Sequence, residues 1–394
     1  MANVNTRYLI VGGGMTADAA IRGIREHDVD GKIVLVSQEN VPPYDRPPLS
    51  KALWTKKKKV EQIWRGTDKF NVDFHLGREI LSLDPVKKFC VDNQGAEYHY
   101  DRLLLATGGM PIHLAEETGK VIYYRTFADY ERLRALANEG KTFAVIGGGY
   151  IGSEIAAALN MQGNKVTMVF PEDGIIARLV PAEMSLQINE LYESKGVVVH
   201  PGQLVSSVEA HDGRMNIQTN RGLTLDVDVV VAGLGIRPNT RLAETAGLKV
   251  DNGIVVDKSL RTSAADIYAA GDVIRFFNPA LNRAIRTEHE ENANLSGKLA
   301  GAAMTGQSVQ YTHLPFAYSD LFELGFEMIG VIDPRLPRIG DWQDPYRTGV
   351  VYYFDGGRVV GVLLVNMWGR IDQARALIES ADQPSAKDIK GFIT

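Results

Sequence analysis

The chain has 394 residues, of which 45% are hydrophobic, 8% aromatic and 23% charged, an ordinary globular composition with apolar material for two or three domains. Its 48 acidic and 43 basic residues leave a net charge of −5, which excludes a general attraction to nucleic acid or anionic lipid. No apolar run reaches the roughly 18–20 residues of a membrane span, and the start MANVNTRYLIVGGG lacks the basic and apolar regions of a signal peptide, so a soluble, cytoplasmic chain is expected.

The first predicted elements are a strand (RYLIV), a glycine turn (GGG), a helix (ADAAIRGIREH) and a second strand (KIVLVS), together a βαβ unit. Lys56, Lys57, Lys58 and Lys59 follow as a local basic run flanked by Trp54 and Trp64; it reads as a solvated face, with a docking patch for an acidic partner as the competing reading. The alternating stretches REILSLDP and KKFCVDN and the apolar RLLLATGG predict sheet and hairpin elements. The single cysteine, Cys90, lies among them, so neither a disulfide framework nor a paired-cysteine redox centre can form within the chain. Electron transfer would then need a cofactor.

The βαβ order recurs at 142–170, as TFAVI, GGG, IGSEIAAALNMQG and KVTMVF. Strand-rich segments follow, up to the run DVDVVVAGLGIRPN. From about residue 312 the pattern changes to a hairpin, GVVYYFDGGRVVGVLLV, turning at Asp355, Gly356 and Gly357, and a last helix near 371–380.

Gly12, Gly13, Gly14, Met15, Thr16 and Ala17 fit the dinucleotide fingerprint G-x-G-x-x-G/A. The first glycine permits the tight turn, Gly14 lets the backbone approach a pyrophosphate, and the helix N-terminus offers free N–H groups. Glu39 stands just past the next strand. Gly147, Gly148, Gly149, Tyr150, Ile151 and Gly152 match the fingerprint in full, and Glu172 follows the next strand. A carboxylate there accepts ribose hydroxyls and repels a 2′-phosphate, favouring NADH over NADPH; nearby Arg178 softens that discrimination, and a solvated loop acid is the competing reading for Glu172. Two dinucleotide sites in one chain point to hydride transfer from nicotinamide to flavin.

PPYDRPPLSK (42–51), LLLATGG (103–109), GGGYIGSE (147–154), TSAADIYAAGD (262–272) and AYSDLFELGFEMIG (317–330) occur in an order that resembles the NADH-dependent ferredoxin and rubredoxin reductases. The likeness is greater still to the apoptosis-inducing factor branch of those flavoproteins. It implies an α/β fold of two Rossmann-like domains of the glutathione-reductase type, binding FAD and NAD, plus a C-terminal α+β domain. The expected division is 1–115 and 245–311 for FAD, 116–244 for NAD, and 312–394 for the tail.

The resemblance also assigns roles. Lys51 and Glu154 are implied as a catalytic pair beside the flavin, with an ordinary salt bridge as the competing reading. Implied FAD contacts are Gly12, Gly13, Gly14, Met15, Thr16, Glu39, Arg46, Lys51, Ile80, Ala106, Thr107, Gly108, Arg125, Asp272, Glu288, His289 and Tyr318. Tyr318 stands where the family usually has Trp, and Gln38 where it usually has an acid, so Glu39 is expected to take the ribose contact. Implied NAD contacts are Gly147, Gly149, Tyr150, Ile151, Gly152, Glu172, Arg178, Gly235 and Glu327. For the two tyrosines core packing competes. Leu49, Ser50 and Lys51 occupy positions where disulfide-reducing relatives carry Cys, which excludes that mechanism. No metal site is expected. The resemblance implies an NADH-oxidising enzyme that passes electrons to a small iron–sulfur protein, as a monomer or homodimer; an apoptosis-inducing factor-like dimerising module and a quinone or small-molecule reductase are the alternatives.

Overall fold

The computed structural model describes residues 3–118, 120–138 and 140–394. The chain forms two compact units, one of Met1–Arg46, Val60–Met110 and Arg237–Phe316, the other of Pro47–Lys59, Pro111–Ile236 and Ala317–Thr394.

In the first unit, β1 (Asn3–Val11) ends in a run of four buried residues and leads through the glycine turn into α1 (Met15–Arg25). Such unbroken apolar runs belong inside parallel sheets, where both faces are covered. β2 (Ile33–Ser37), β3 (Val72–Leu76), β4 (Ile80–Asp84), β5 (Phe89–Asp92) and β6 (Glu97–Leu105) follow. They assemble in the order β3-β2-β1-β6-β5-β4, with Ile267–Ala269 as a seventh strand beside β6. β1 pairs in parallel with β2 and β6, whereas β4 and β5 form the antiparallel part. Helix Glu290–Met304 crosses α1 at backbone distance. A methyl added at Gly23 would stand 2.1 Å from the Lys298 carbonyl oxygen, and one at Gly301 2.1 Å from that of Ala20.

The second unit repeats the parallel scheme. Its five strands run in the order Val198–His200, Lys165–Val169, Thr142–Ile146, Val229–Ala232 and Ile122–Tyr123, with helices α2 (Phe127–Ala137), α3 (Tyr150–Met161) and α4 (Ala182–Ser194). α2 begins with a capping box between Thr126 and Asp129; α3 begins at Gly149, with no side-chain cap. A three-stranded antiparallel sheet holds Val205–His211, Arg214–Thr219 and Thr224–Val227. The tail is a five-stranded sheet in the order Phe316–Leu321, Leu324–Gly330, Arg358–Val365, Thr348–Asp355 and Arg338–Asp344, against which helix Ile371–Glu379 packs. The expected fold class, two Rossmann-like halves with an α+β tail, is met. Among the described residues no helix is long and apolar enough to cross a membrane, and no cluster of His, Cys, Asp or Glu could hold a metal ion.

Candidate active site

In the first unit, Gly12 has φ +118°, and a Cβ there would lie 2.1 Å from the Ala106 carbonyl oxygen. Only glycine fits so tight a turn. Gly14 is different: the nearest atom to a Cβ there is Arg46 Nη2, at 4.0 Å. The turn is therefore closed beneath Gly12 and open before Gly14, where α1 starts without a side-chain cap, a cradle that a pyrophosphate fits. A Cβ on Gly13 would instead meet the Ser37 hydroxyl at 2.2 Å. Beside the turn, Thr107 Oγ1 donates to the Asn239 carbonyl at 2.8 Å, and the Gly108 carbonyl accepts from the Asn239 N–H at 2.9 Å.

Glu39 is already engaged. It accepts from Arg46 Nη2 at 2.5 Å and from the Tyr44 hydroxyl at 2.8 Å, while the Arg46 N–H lies 3.5 Å from the Met15 sulfur. Burial would lower the Arg46 pKa, but Tyr44, Glu39 and Asp272 hold it above the ordinary arginine value. Fingerprint, Glu39, Arg46 and Asp272 thus stand together. Gly271, which precedes Asp272, approaches Thr16 so closely that a Cβ would lie 2.3 Å from its hydroxyl. Glu288 pairs with Arg286, whose Nη1 also lies 3.4 Å from the Asp272 carbonyl oxygen. His289 caps helix Glu290–Met304, its Nδ1 accepting from the Glu291 N–H at 3.4 Å, and its ring meets Phe316 edge-on. Ile80 is a residue of the apolar core.

One hub in this unit has no motif of its own. Asp18, fully buried on α1, accepts from Arg22 at 2.8 Å, Arg65 at 2.7 Å and Thr67 at 2.7 Å. Burial opposes its charge, yet these bonds keep its pKa below the usual carboxylate value. Arg65 also holds Asp45, the neighbour of Arg46, at 2.7 Å.

In the second unit the fingerprint geometry recurs. Gly147 has φ +108° and a Cβ there would lie 2.4 Å from the Gly233 carbonyl oxygen, whereas a Cβ on Gly149 meets nothing within 4 Å. Gly152 lets α3 pack against the turn, since a Cβ would stand 2.0 Å from the Gly147 carbonyl oxygen. Ile151 is partly exposed. Glu172 pairs with the exposed Arg178 at 2.5 Å. Gly235, at φ +88°, accepts from the Ile112 N–H at 3.0 Å. The Arg125 N–H donates to Asp129 Oδ2 at 3.1 Å, just before α2.

Lys51 and Glu154 also lie in the second unit, on the segment 47–59 and on α3. Their Nζ to Oε1 distance is 3.2 Å, and Glu154 is 5% exposed. Lys51 donates to the Tyr318 carbonyl at 3.2 Å and stands 3.9 Å from the Tyr318 ring centre. Ser50 and Ser319, which lie within the quoted motifs but are given no bonding role by them, donate to opposite oxygens of Glu154 at 2.6 Å each. Charges this deep are tolerated only when paired and hydrogen-bonded, and here the carboxylate has three partners. On the same helix the Tyr150 hydroxyl lies 2.9 Å from the Met328 sulfur. Burial, then Glu154, raises the Tyr150 pKa. Glu327, next to Met328, is 9% exposed and its Oε2 has no hydrogen-bond partner; burial and Asp320 raise its pKa.

Two parallel α/β sheets with open glycine turns and a buried ammonium–carboxylate pair define a two-nucleotide oxidoreductase, and FAD and NAD(H) are the cofactors. The chain belongs to the pyridine nucleotide-disulphide oxidoreductase family, which it matches over residues 6–296. Its one cysteine is buried, and desolvation pushes the Cys90 thiol up to about 12, so it is not a reactive thiolate. Over 94% of its length the chain is 35% identical to apoptosis-inducing factor 1, mitochondrial, of Dictyostelium discoideum, covering 78% of that protein. It is 33% identical to the ferredoxin–NAD(+) reductase component of the anthranilate 1,2-dioxygenase system of Burkholderia cepacia, covering 97% of this chain and 96% of that one. The crystal structure of the covalent putidaredoxin reductase–putidaredoxin complex contains a chain that superposes with a TM-score of 0.88 at 30% identity, covering 96% of this chain and 94% of that one.

Proposed function

We propose that this enzyme oxidises NADH and passes the electrons to a ferredoxin- or rubredoxin-type protein. The observation that carries this reading is Lys51, held by Glu154 at 3.2 Å on the helix that follows the second open glycine turn. When bound, the two cofactors supply hydride and electron transfer; the chain binds and orients them and keeps water away. In this reading 1–115 and 245–311 hold FAD, 116–244 hold NADH, and 312–394 contribute Tyr318.

Gly12, Gly13, Gly14, Met15 and Thr16 would hold the FAD pyrophosphate with Arg46 and Asp272. Glu39 would take the ribose, and Ala106, Thr107, Gly108, Ile80, Arg125, Glu288 and His289 complete the FAD contacts. Gly147, Gly149, Tyr150, Ile151, Gly152 and Gly235 would hold NADH. Glu172 and Arg178 would take its ribose, and Glu327 its carboxamide. The Lys51 ammonium is suited to stabilise negative charge added to the flavin, and Glu154 to orient it.

Relatives named as ferredoxin reductases at 33% and 31% identity support the iron–sulfur acceptor. Identity of 35% to apoptosis-inducing factor 1 favours a second reading, a slow NADH oxidoreductase whose reduced form dimerises. Relatives named monodehydroascorbate reductase add a small-molecule acceptor as a third. A cytoplasmic location fits the bacterial relatives among these.

Anaerobic titration with NADH tests the core of the reading: the flavin absorbance should bleach, and purified protein without flavin or FAD affinity would sink it. Mixing the reduced enzyme with ferredoxin, rubredoxin, quinone and monodehydroascorbate then ranks the acceptors. Slow turnover with all of them, together with an NADH-induced increase in size, would select the second reading.

A further inference from the structure

We propose that Ser50 and Ser319 are positioning residues that fix Lys51 by acting through Glu154. The proposal rests on the roles given above to Lys51 and Glu154. Two separate segments meet at the α3 carboxylate: Ser50 Oγ donates to Oε2 and Ser319 Oγ to Oε1, both at 2.6 Å, and Lys51 Nζ reaches Oε1 at 3.2 Å. The hydroxyl bonds are the shorter ones, in the range of strong charge-assisted O–H···O⁻ bonds. Both serines are buried, so water does not compete for the carboxylate.

Each serine flanks a residue on the other side of this contact. Ser50 precedes Lys51, and Ser319 follows Tyr318, whose carbonyl and ring receive the ammonium. The hydroxyls therefore set the plane of the carboxylate and tie to it the two backbones that place Lys51. They also satisfy both oxygens of a carboxylate that burial has stripped of water. Without them Glu154 is a buried carboxylate held by one ammonium alone, and it is free to turn away. That loosens Lys51. The titratable groups beside Glu154 are Lys51, Tyr150 and Tyr192. Both phenols are raised, by burial first and Glu154 second, and stay protonated through neutral pH.

The test uses FAD-loaded protein carrying S50A, S319A, both together, and the hydroxyl-retaining S50T and S319T. The rate of flavin reduction by NADH and the flavin midpoint potential are the readouts, with thermal melting alongside. Each alanine should slow flavin reduction and make the potential more negative; the threonine variants should stay near wild type. An unchanged rate and potential in the double variant, even with a lower melting temperature, would overturn the proposal. Should the double variant not fold, S319A alone decides by the same two readouts. If wild-type flavin is not reduced by NADH, it is the functional reading that fails; if it is reduced and the variants match it, only this inference falls.

Discussion

The Lys51 ammonium stands 3.9 Å from the centre of the Tyr318 ring while donating to the carbonyl of the same residue. Ring and carbonyl thus share the cation with the carboxylate of Glu154. A desolvated cation–π contact is worth about 1–2 kcal/mol. Y318A should therefore slow flavin reduction by NADH about tenfold, while Y318W, which keeps an aromatic face, should stay within about threefold of wild type. Stopped-flow absorbance checks both, and equal rates in Y318A and wild type would remove the ring from the mechanism.

Glu172 carries the choice of nucleotide in the proposed site, and Arg178 is its ion-pair partner at 2.5 Å. E172A removes a ribose acceptor and frees a guanidinium. Charged hydrogen bonds contribute roughly 1.5–3 kcal/mol, so the NADH Kd should rise at least about tenfold, and the preference over NADPH should shrink. Titration of the variant with each nucleotide measures both. An unaltered ratio would leave Glu172 as a loop acid.

The second glycine turn separates folding from binding. G147A puts a side chain at φ +108°, 2.4 Å from the Gly233 carbonyl oxygen, and should lose about 2 kcal/mol or more of stability. G149A meets nothing within 4 Å and sits at φ −80°, so its melting temperature should hold. Its NADH affinity should nonetheless fall, because the methyl takes room meant for phosphate. Calorimetry and NADH titration of the two variants should give opposite orders of damage.

Asp92 links stability to pH. It accepts from Arg78, Tyr98 and the N–H groups of Gln94 and Ala96. Burial would raise its pKa, but these bonds bring it down to about 2, below the unfolded value of about 3.9. Its contribution, about 2–3 kcal/mol, is complete above the unfolded pKa and disappears as pH falls through the folded one. D92N should melt well below wild type at pH 7, with the gap closing toward pH 2. A gap that does not vary with pH would contradict the assignment.

Both βαβ units were legible because each glycine turn lies between an apolar strand and a helix, a local pattern. Lys51, Glu154 and Tyr318 were legible through motifs. Ser50 and Ser319 were not: serine is common, and their bonds to Glu154 span 104 and 165 positions. The same holds for Asp18, whose partners Arg65 and Thr67 come from a later loop. Strand Arg338–Asp344 escaped notice because it is a half-exposed edge without alternation.

The contact between α1 and helix Glu290–Met304 has a consequence for the order of events during synthesis. Its glycines leave no gap between backbones, so the fingerprint helix cannot reach its final seat until residue 304 has left the ribosome. By then the whole of Pro111–Ile236 has emerged. The helix that follows the first nucleotide turn to be translated thus meets its packing partner only after nearly 280 further residues of chain.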